Sequence, residues 1–147
     1  MIVVTDHIHP DSQCRLPAVG IAASRETLAK KRWRATAADH VEFGFDLEHP
    51  LAHGDLVHRS ESAVYRLEQL PEPVLETPLG GDPAQAALLA WRVGNLHFPV
   101  ELAGGFLRVA DDPALRRMFE REDVPFRGAV AIFQPVAAAT PHSHSHG

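Results

Sequence analysis

Imidazole is the side chain with the most chemistry to offer in this sequence of 147 residues, which carries ten histidines. Three of them, His142, His144 and His146, alternate with serine among the last six residues. Neutral imidazole ligates Ni2+, Zn2+ and Cu2+, and short histidine-rich tracts are compositional signals of metal binding. The serine spacing lets two or three rings reach one ion without a preformed geometry, so the tract by itself is poorly selective. A purification tag is the competing reading of any terminal histidine run, but tags are usually contiguous and this alternating form reads as native. His97 is the second candidate, placed between a helix stop at Gly94-Asn95 and the apolar run Phe98-Pro99-Val100. A lone histidine at such a junction is more often a surface residue than a ligand. A two-fold axis changes that count, because an isologous interface presents the same residue twice. His7 and His9 lie two apart and can bind a metal in principle, but with no third ligand in sight they read as surface residues. Cys14 has no Cys or His neighbour at metal spacing and reads as a small inert side chain.

Other chemistries lack their signatures. No G-x-S-x-G elbow, P-loop, H-E-x-x-H or paired-cysteine motif occurs, so nothing nominates a nucleophile, a phosphate cradle or a catalytic zinc, and the chain does not read as an enzyme. Fourteen Lys and Arg against 19 Asp and Glu give a net charge of −5, which removes the electrostatic drive toward nucleic acid or an anionic membrane. No stretch approaches the roughly 20 apolar residues of a membrane span, and Met1 to His7 has no basic region of a signal peptide. The expected location is cytoplasmic. An apolar fraction of 45% with 22% charged residues fits one globular domain or two small ones.

The elements that must position the histidines change character at Pro71-Glu72-Pro73. Before it, Val41, Phe43, Phe45 and Leu47 alternate with polar or small residues, the period of a half-buried strand. Ala37 to His40 joins this strand to the basic segment Lys30 to Thr36 in a hairpin, and Leu56-Val57 and Val64 to Leu70 supply further strands. Lys30, Lys31, Arg32 and Arg34 read as a solvated strand face. After the prolines, which are expected to bar a central strand, Val74 to Thr77 reads as a strand. Asp82-Pro83 then opens a helix whose inward face is predicted at Ala84, Ala87, Leu88 and Trp91. Gly94-Asn95 stops it with left-handed backbone. Phe98, Val100 and Leu102 mark the apolar face of a strand, Gly104-Gly105 turns it, and Phe106 to Val109 returns. A second helix follows from Asp112-Pro113 with Leu115, Met118 and Phe119 inward, and Ala129 to Phe133 is a last strand. Trp33 and Trp91 are each expected in a core. The fold class is therefore α+β: a β-rich domain over 1–71, a ferredoxin-like βαββαβ domain over 72–135, and a mobile histidine-bearing tail over 136–147.

One segment carries a family resemblance. Gly94-Asn95-Leu96-His97-Phe98-Pro99 resembles the G-N-x-H-x-P segment of the UreE family of urease accessory proteins, which are nickel metallochaperones. His53-Gly54-Asp55, Pro71-Glu72 and the terminal histidines resemble that family's N-terminal turn, interdomain junction and metal-binding tail, so the likeness covers nearly the whole chain. Leu96 stands where many members have arginine. The resemblance implies a homodimer in which His97 binds Ni2+ across the axis with help from His142, His144 and His146. It also implies delivery to the urease apoprotein through the urease accessory GTPase. Some members carry extra histidines where this chain has Ala110-Asp111-Asp112; either aspartate is at best a weak oxygen ligand, and helix capping explains Asp112 better. Zn2+ and Cu2+ are competitors, since imidazole suits all three ions. Two other classes fit the same residues: a protein-interaction module in which metal binding is incidental, and a histidine-rich metal store. Stoichiometry separates them, because a store takes up several ions per chain and a symmetric site takes up one per dimer.

Overall fold

The computed structural model describes residues 1–136, so the tail histidines at 142, 144 and 146 lie outside the described residues. The chain divides into two compact units, Met1–Pro71 and the part from Glu72 onward.

The first unit is built from β1 (Ile2–Val4), β2 (Ala18–Ala23), the single turn α1 (Arg25–Leu28), β3 (Arg32–Thr36), β4 (Glu42–Asp46), β5 (Leu56–Arg59) and β6 (Val64–Gln69). They form two three-stranded sheets, in the orders β1-β4-β3 and β2-β6-β5. The hairpin read from residues 30–47 is present, with Trp33 opposite Phe45 and Ala35 opposite Phe43. Phe43, Phe45 and Leu47 are buried as their alternation requires. Gly44, on the opposite face, is buried too, because Met1 lies against it and a Cβ there would sit 3.1 Å from that side chain. Trp33 stacks on Phe45 with ring centroids 3.7 Å apart. The Tyr65 hydroxyl donates to Asp39 Oδ2 (2.7 Å), tying β6 to the turn of the β3–β4 hairpin. Ser24 caps α1 by accepting the Thr27 N–H. Both parallel pairings, β1 with β4 and β2 with β6, join segments distant in sequence.

The second unit runs β7 (Glu72–Pro78), α2 (Pro83–Asn95), β8 (Glu101–Ala103), β9 (Phe106–Ala110), α3 (Pro113–Arg121) and β10 (Arg127–Ala131). This is the predicted β-α-β-β-α-β order, and its four strands pair antiparallel in the sequence β10-β7-β9-β8. Asp82 and Asp112 cap their helices as expected, each accepting the N–H of the alanine two residues on, at 2.9 and 2.8 Å. Leu75, Leu107 and Val109 on the sheet meet Val93 of α2 and Leu115, Met118 and Phe119 of α3 in one cluster.

Four expectations fail here. Pro73 lies inside a strand, and β7 is central. At Pro78 the strand has a partner only on the β9 side, and at Pro73 the β7–β9 ladder has just ended, leaving one bond from the Asp111 N–H to the Pro73 carbonyl (3.2 Å), so each missing N–H falls at the end of a ladder. The inward face of α2 is Ala86, Leu89, Ala90 and Val93, not Ala84, Ala87, Leu88 and Trp91. The two stripes are offset by two residues, roughly 200° around the helix, and both are apolar, so the period alone could not choose between them. Trp91 is consequently 63% exposed and packs in no core. β8 is shorter than read: Phe98 and Val100 precede it, and Leu102 points outward at 65% exposure. Finally, β10 ends at Ala131, and Phe133 is fully buried beyond it.

Candidate metal site

His97 is held by the way α2 ends. The helix does not stop at Gly94-Asn95 in left-handed backbone; it runs through both to a cap at Leu96. The left-handed residue is His97 itself, at φ 63°. Its N–H donates to the Gly94 carbonyl (2.9 Å), and the Phe98 N–H donates to the Val93 carbonyl (3.3 Å). That pair of bonds is a Schellman closure, with His97 in the position usually given to glycine. Phe98 and Val93 lie in the same apolar cluster, supplying the hydrophobic contact that accompanies the motif. A β-carbon in this conformation costs roughly 1 kcal/mol or more, and glycine would avoid it. A strained residue whose side chain is exposed does nothing for packing, so the strain points to a use for the imidazole. Arg92, one turn earlier, pairs with Glu122 just past α3 and so fixes the end of the helix that carries His97.

The open face of the sheet, opposite the helices, holds a charged network that the sequence did not disclose. Arg108 on β9 reaches Glu76 on β7 (2.9 Å) and both carboxylate oxygens of Glu101 on β8 (3.2 Å each). Arg127 of β10 lies 3.5 Å from Glu76 and over the Phe106 ring. Burial works against the charge of Arg108, but its bonds to Glu76 and Glu101 outweigh it and raise its pKa. The chain after β10 uses this network as a handhold. The Gln134 N–H donates to Glu101 (3.1 Å), and the Val136 N–H donates to the Val100 carbonyl (2.7 Å). Because β10 and β8 are opposite edges of the sheet, residues 132–136 form a strap that carries the chain across it. The strap ends three residues from His97.

The acidic alternatives are already occupied. Asp112 caps α3, and Asp111 takes a forked pair of bonds from Arg116, at 2.6 and 2.8 Å. Arg116 holds the Asp111 carboxyl below its ordinary value of 3.8. A carboxyl depressed on folding stabilises the fold above its unfolded pKa and loses that contribution as pH falls through the lower folded value. Asp111→Asn is therefore expected to flatten the acid limb of the stability curve below about pH 4, read by thermal melts from pH 2 to 6. Among the described residues, no three His, Cys, Asp or Glu side chains meet at metal-ligand spacing. The geometry thus leaves His97 exposed at a fixed helix end, with Val136 bonded to Val100 three residues further along the chain.

A family model for the UreE urease accessory protein, C-terminal domain, matches residues 72–147, just over half the chain. The chain belongs to the UreE family. It is 32% identical to the urease accessory protein UreE of a Chelativorans species, over 82% of this chain and 77% of that protein. It is also 36% identical to UreE of Burkholderia ambifaria over 66% of this chain, and 33% identical to UreE of Beijerinckia indica over 75%. The match covers about half of the B. ambifaria protein, 48%, and 64% of the B. indica protein. UreE proteins are accessory chaperones, not enzymes, which agrees with the want of catalytic motifs. The described part of this UreE chain contains no helix long and apolar enough to cross a membrane.

Proposed function

We propose that this protein is a nickel metallochaperone of urease maturation that works as a homodimer in the cytoplasm, with a ferredoxin-like domain as its dimerising part. Two copies of His97 bracket one Ni2+ on the axis, and His142, His144 and His146 complete the shell. The ion passes to the urease apoprotein through the urease accessory GTPase. The observation that carries this reading is His97: a histidine kept exposed in a backbone conformation that costs stability and serves no packing.

Two further features support it. The outer stripe of α2, with Leu88 at 47% and Trp91 at 63% exposure, leads to an exposed Leu96 beside His97. A helix apolar on both faces is normally buried on both, and a second copy of the same stripe covers this one while bringing the two His97 residues together. The strap is the other feature. From Val136 to His142 is six residues, a reach of up to about 20 Å, which includes His97.

The test is a Ni2+ calorimetric titration with molecular mass recorded in parallel, on the full chain and on a chain ending at Val136. One ion per dimer that survives truncation with reduced affinity is the expected result. Several ions per chain that all vanish with the tail would point instead to a metal store. Imidazole must shed its proton to ligate, so tight binding is expected to weaken as pH falls through about 6.5. The dimer has its own test. Truncating an interface tryptophan commonly costs about 2 kcal/mol or more, and a carboxylate there adds a desolvation penalty. Trp91→Glu should therefore run at the mass of one chain in micromolar light scattering, with an unchanged circular dichroism spectrum. A dimer that persists would remove α2 from the interface.

A further inference from the structure

The histidines away from His97 differ in what occupies them. His53 accepts the Gln69 N–H on Nδ1 (3.0 Å), and His58 packs against Phe43 and Tyr65. His7 and His9 are both exposed, and each has an open side. Between them, Ile8 is tied to β5 by its N–H, which donates to the Leu56 carbonyl (2.7 Å) in an isolated antiparallel bridge. Extended backbone sends alternate side chains to opposite sides. Ile8 therefore turns inward and the two imidazoles turn outward together, with ring centroids 5.6 Å apart at 82°.

Asp6 decides what His7 can do. Its carboxylate accepts both the backbone N–H of His7 (2.7 Å) and the ring Nδ1–H (2.8 Å). A carboxylate offers only acceptors, and this one already takes the backbone N–H of its neighbour on the same oxygen. Nδ1 of His7 is then the donor, and in the neutral ring Nε2 is left with a bare lone pair. A carboxylate behind a histidine is the arrangement that orients metal-bound imidazoles and raises their basicity.

We propose that His7 and His9 form a second metal site on the first unit, an open two-imidazole pair for a borderline divalent cation, oriented by Asp6 and completed by water. Among the described residues no third His, Cys, Asp or Glu closes it, so it is a labile site and not a structural one. It shares no residue with the His97 site and does not depend on the proposed function of that site.

The probe is Cu2+, first of these ions in raw affinity for nitrogen donors. It is added at one equivalent to the full chain carrying His97→Ala, His142→Ala, His144→Ala and His146→Ala. The expected result is one Cu2+ per chain, with an electron paramagnetic resonance spectrum showing two imidazole nitrogens. In that background His7→Ala and His9→Ala should each weaken binding by more than tenfold and erase the two-nitrogen signature. Asp6→Ala should weaken it by about tenfold, the usual cost of losing an orienting partner. Asp6, His7, His9 and His97 are exposed, and a circular dichroism spectrum on each variant checks the fold. No bound Cu2+ at one equivalent, or binding that ignores His7→Ala, would overturn the proposal.

Discussion

Replacing His97 by glycine is expected to raise the melting temperature and abolish tight Ni2+ binding in the same variant. The stability half follows from the Schellman closure: glycine at φ 63° carries no Cβ penalty, so up to about 1 kcal/mol returns. In a domain of this size that is roughly 4–8 °C. The binding half follows from the proposed symmetry, since one substitution removes two of the ion's ligands. Losing a mere orienting partner costs 10- to 100-fold in metal affinity, so losing both imidazoles should cost more than about 100-fold. His97→Ala separates the two effects. It loses the metal equally but keeps a Cβ in left-handed backbone, so its melting temperature should stay at or slightly below the parent's. Calorimetric titration and thermal melts on the three proteins give the answer. Tight Ni2+ binding in either variant would end the assignment of His97 as a ligand.

Arg108→Ala is expected to destabilise the second unit by about 3 kcal/mol. Arg108 stands between two carboxylates on the open sheet face, with its side chain 18% exposed and those of Glu76 and Glu101 at 6% and 14%. Removing it leaves two adjacent negative charges out of water with only Arg127 at 3.5 Å to answer Glu76, and stranding buried charge costs about 3–5 kcal/mol. The lower end applies because this face is not fully dry. Urea denaturation should show the midpoint fall at an unchanged slope. Adding Glu76→Gln and Glu101→Gln should recover much of the loss, because neutral amides tolerate one another where carboxylates do not. A change below 1 kcal/mol for Arg108→Ala would mean that the network is solvated and contributes little.

Much of the second unit could be read from local grammar. Asp82-Pro83 and Asp112-Pro113 announce helix starts through residues that bond their own neighbours, and such signals need no knowledge of the rest of the chain. The hairpin through residues 37–40 is legible for the same reason. The parallel pairs β1–β4 and β2–β6 were not, because their partners lie dozens of residues apart and no turn encodes the pairing. α2 shows the limit of periodicity: it states that a helix has apolar faces, not which of two is needed inside. The site followed the same division. His97 was conspicuous by motif, whereas the strain on it depends on where the helix actually ends. The Glu76–Arg108–Glu101 network was invisible because its members come from three strands whose register only the folded sheet defines.

The strap over residues 132–136 sets a concentration. A donor tethered near a site acts as if dissolved at a level that falls with about the −3/2 power of tether length. Without the strap and its bonds from Gln134 to Glu101 and from Val136 to Val100, the stretch of sequence from the last anchor to His142 would begin at Ala131, the end of β10, and span 11 residues instead of six. It would also start three strand spacings farther away, about 14 Å. In the proposed function, where His142 ligates beside His97, that difference in length would make the strap worth a roughly two- to threefold gain in local imidazole, and the relocation would add to it. A few backbone hydrogen bonds with no metal chemistry of their own would therefore tune how firmly the ion is held.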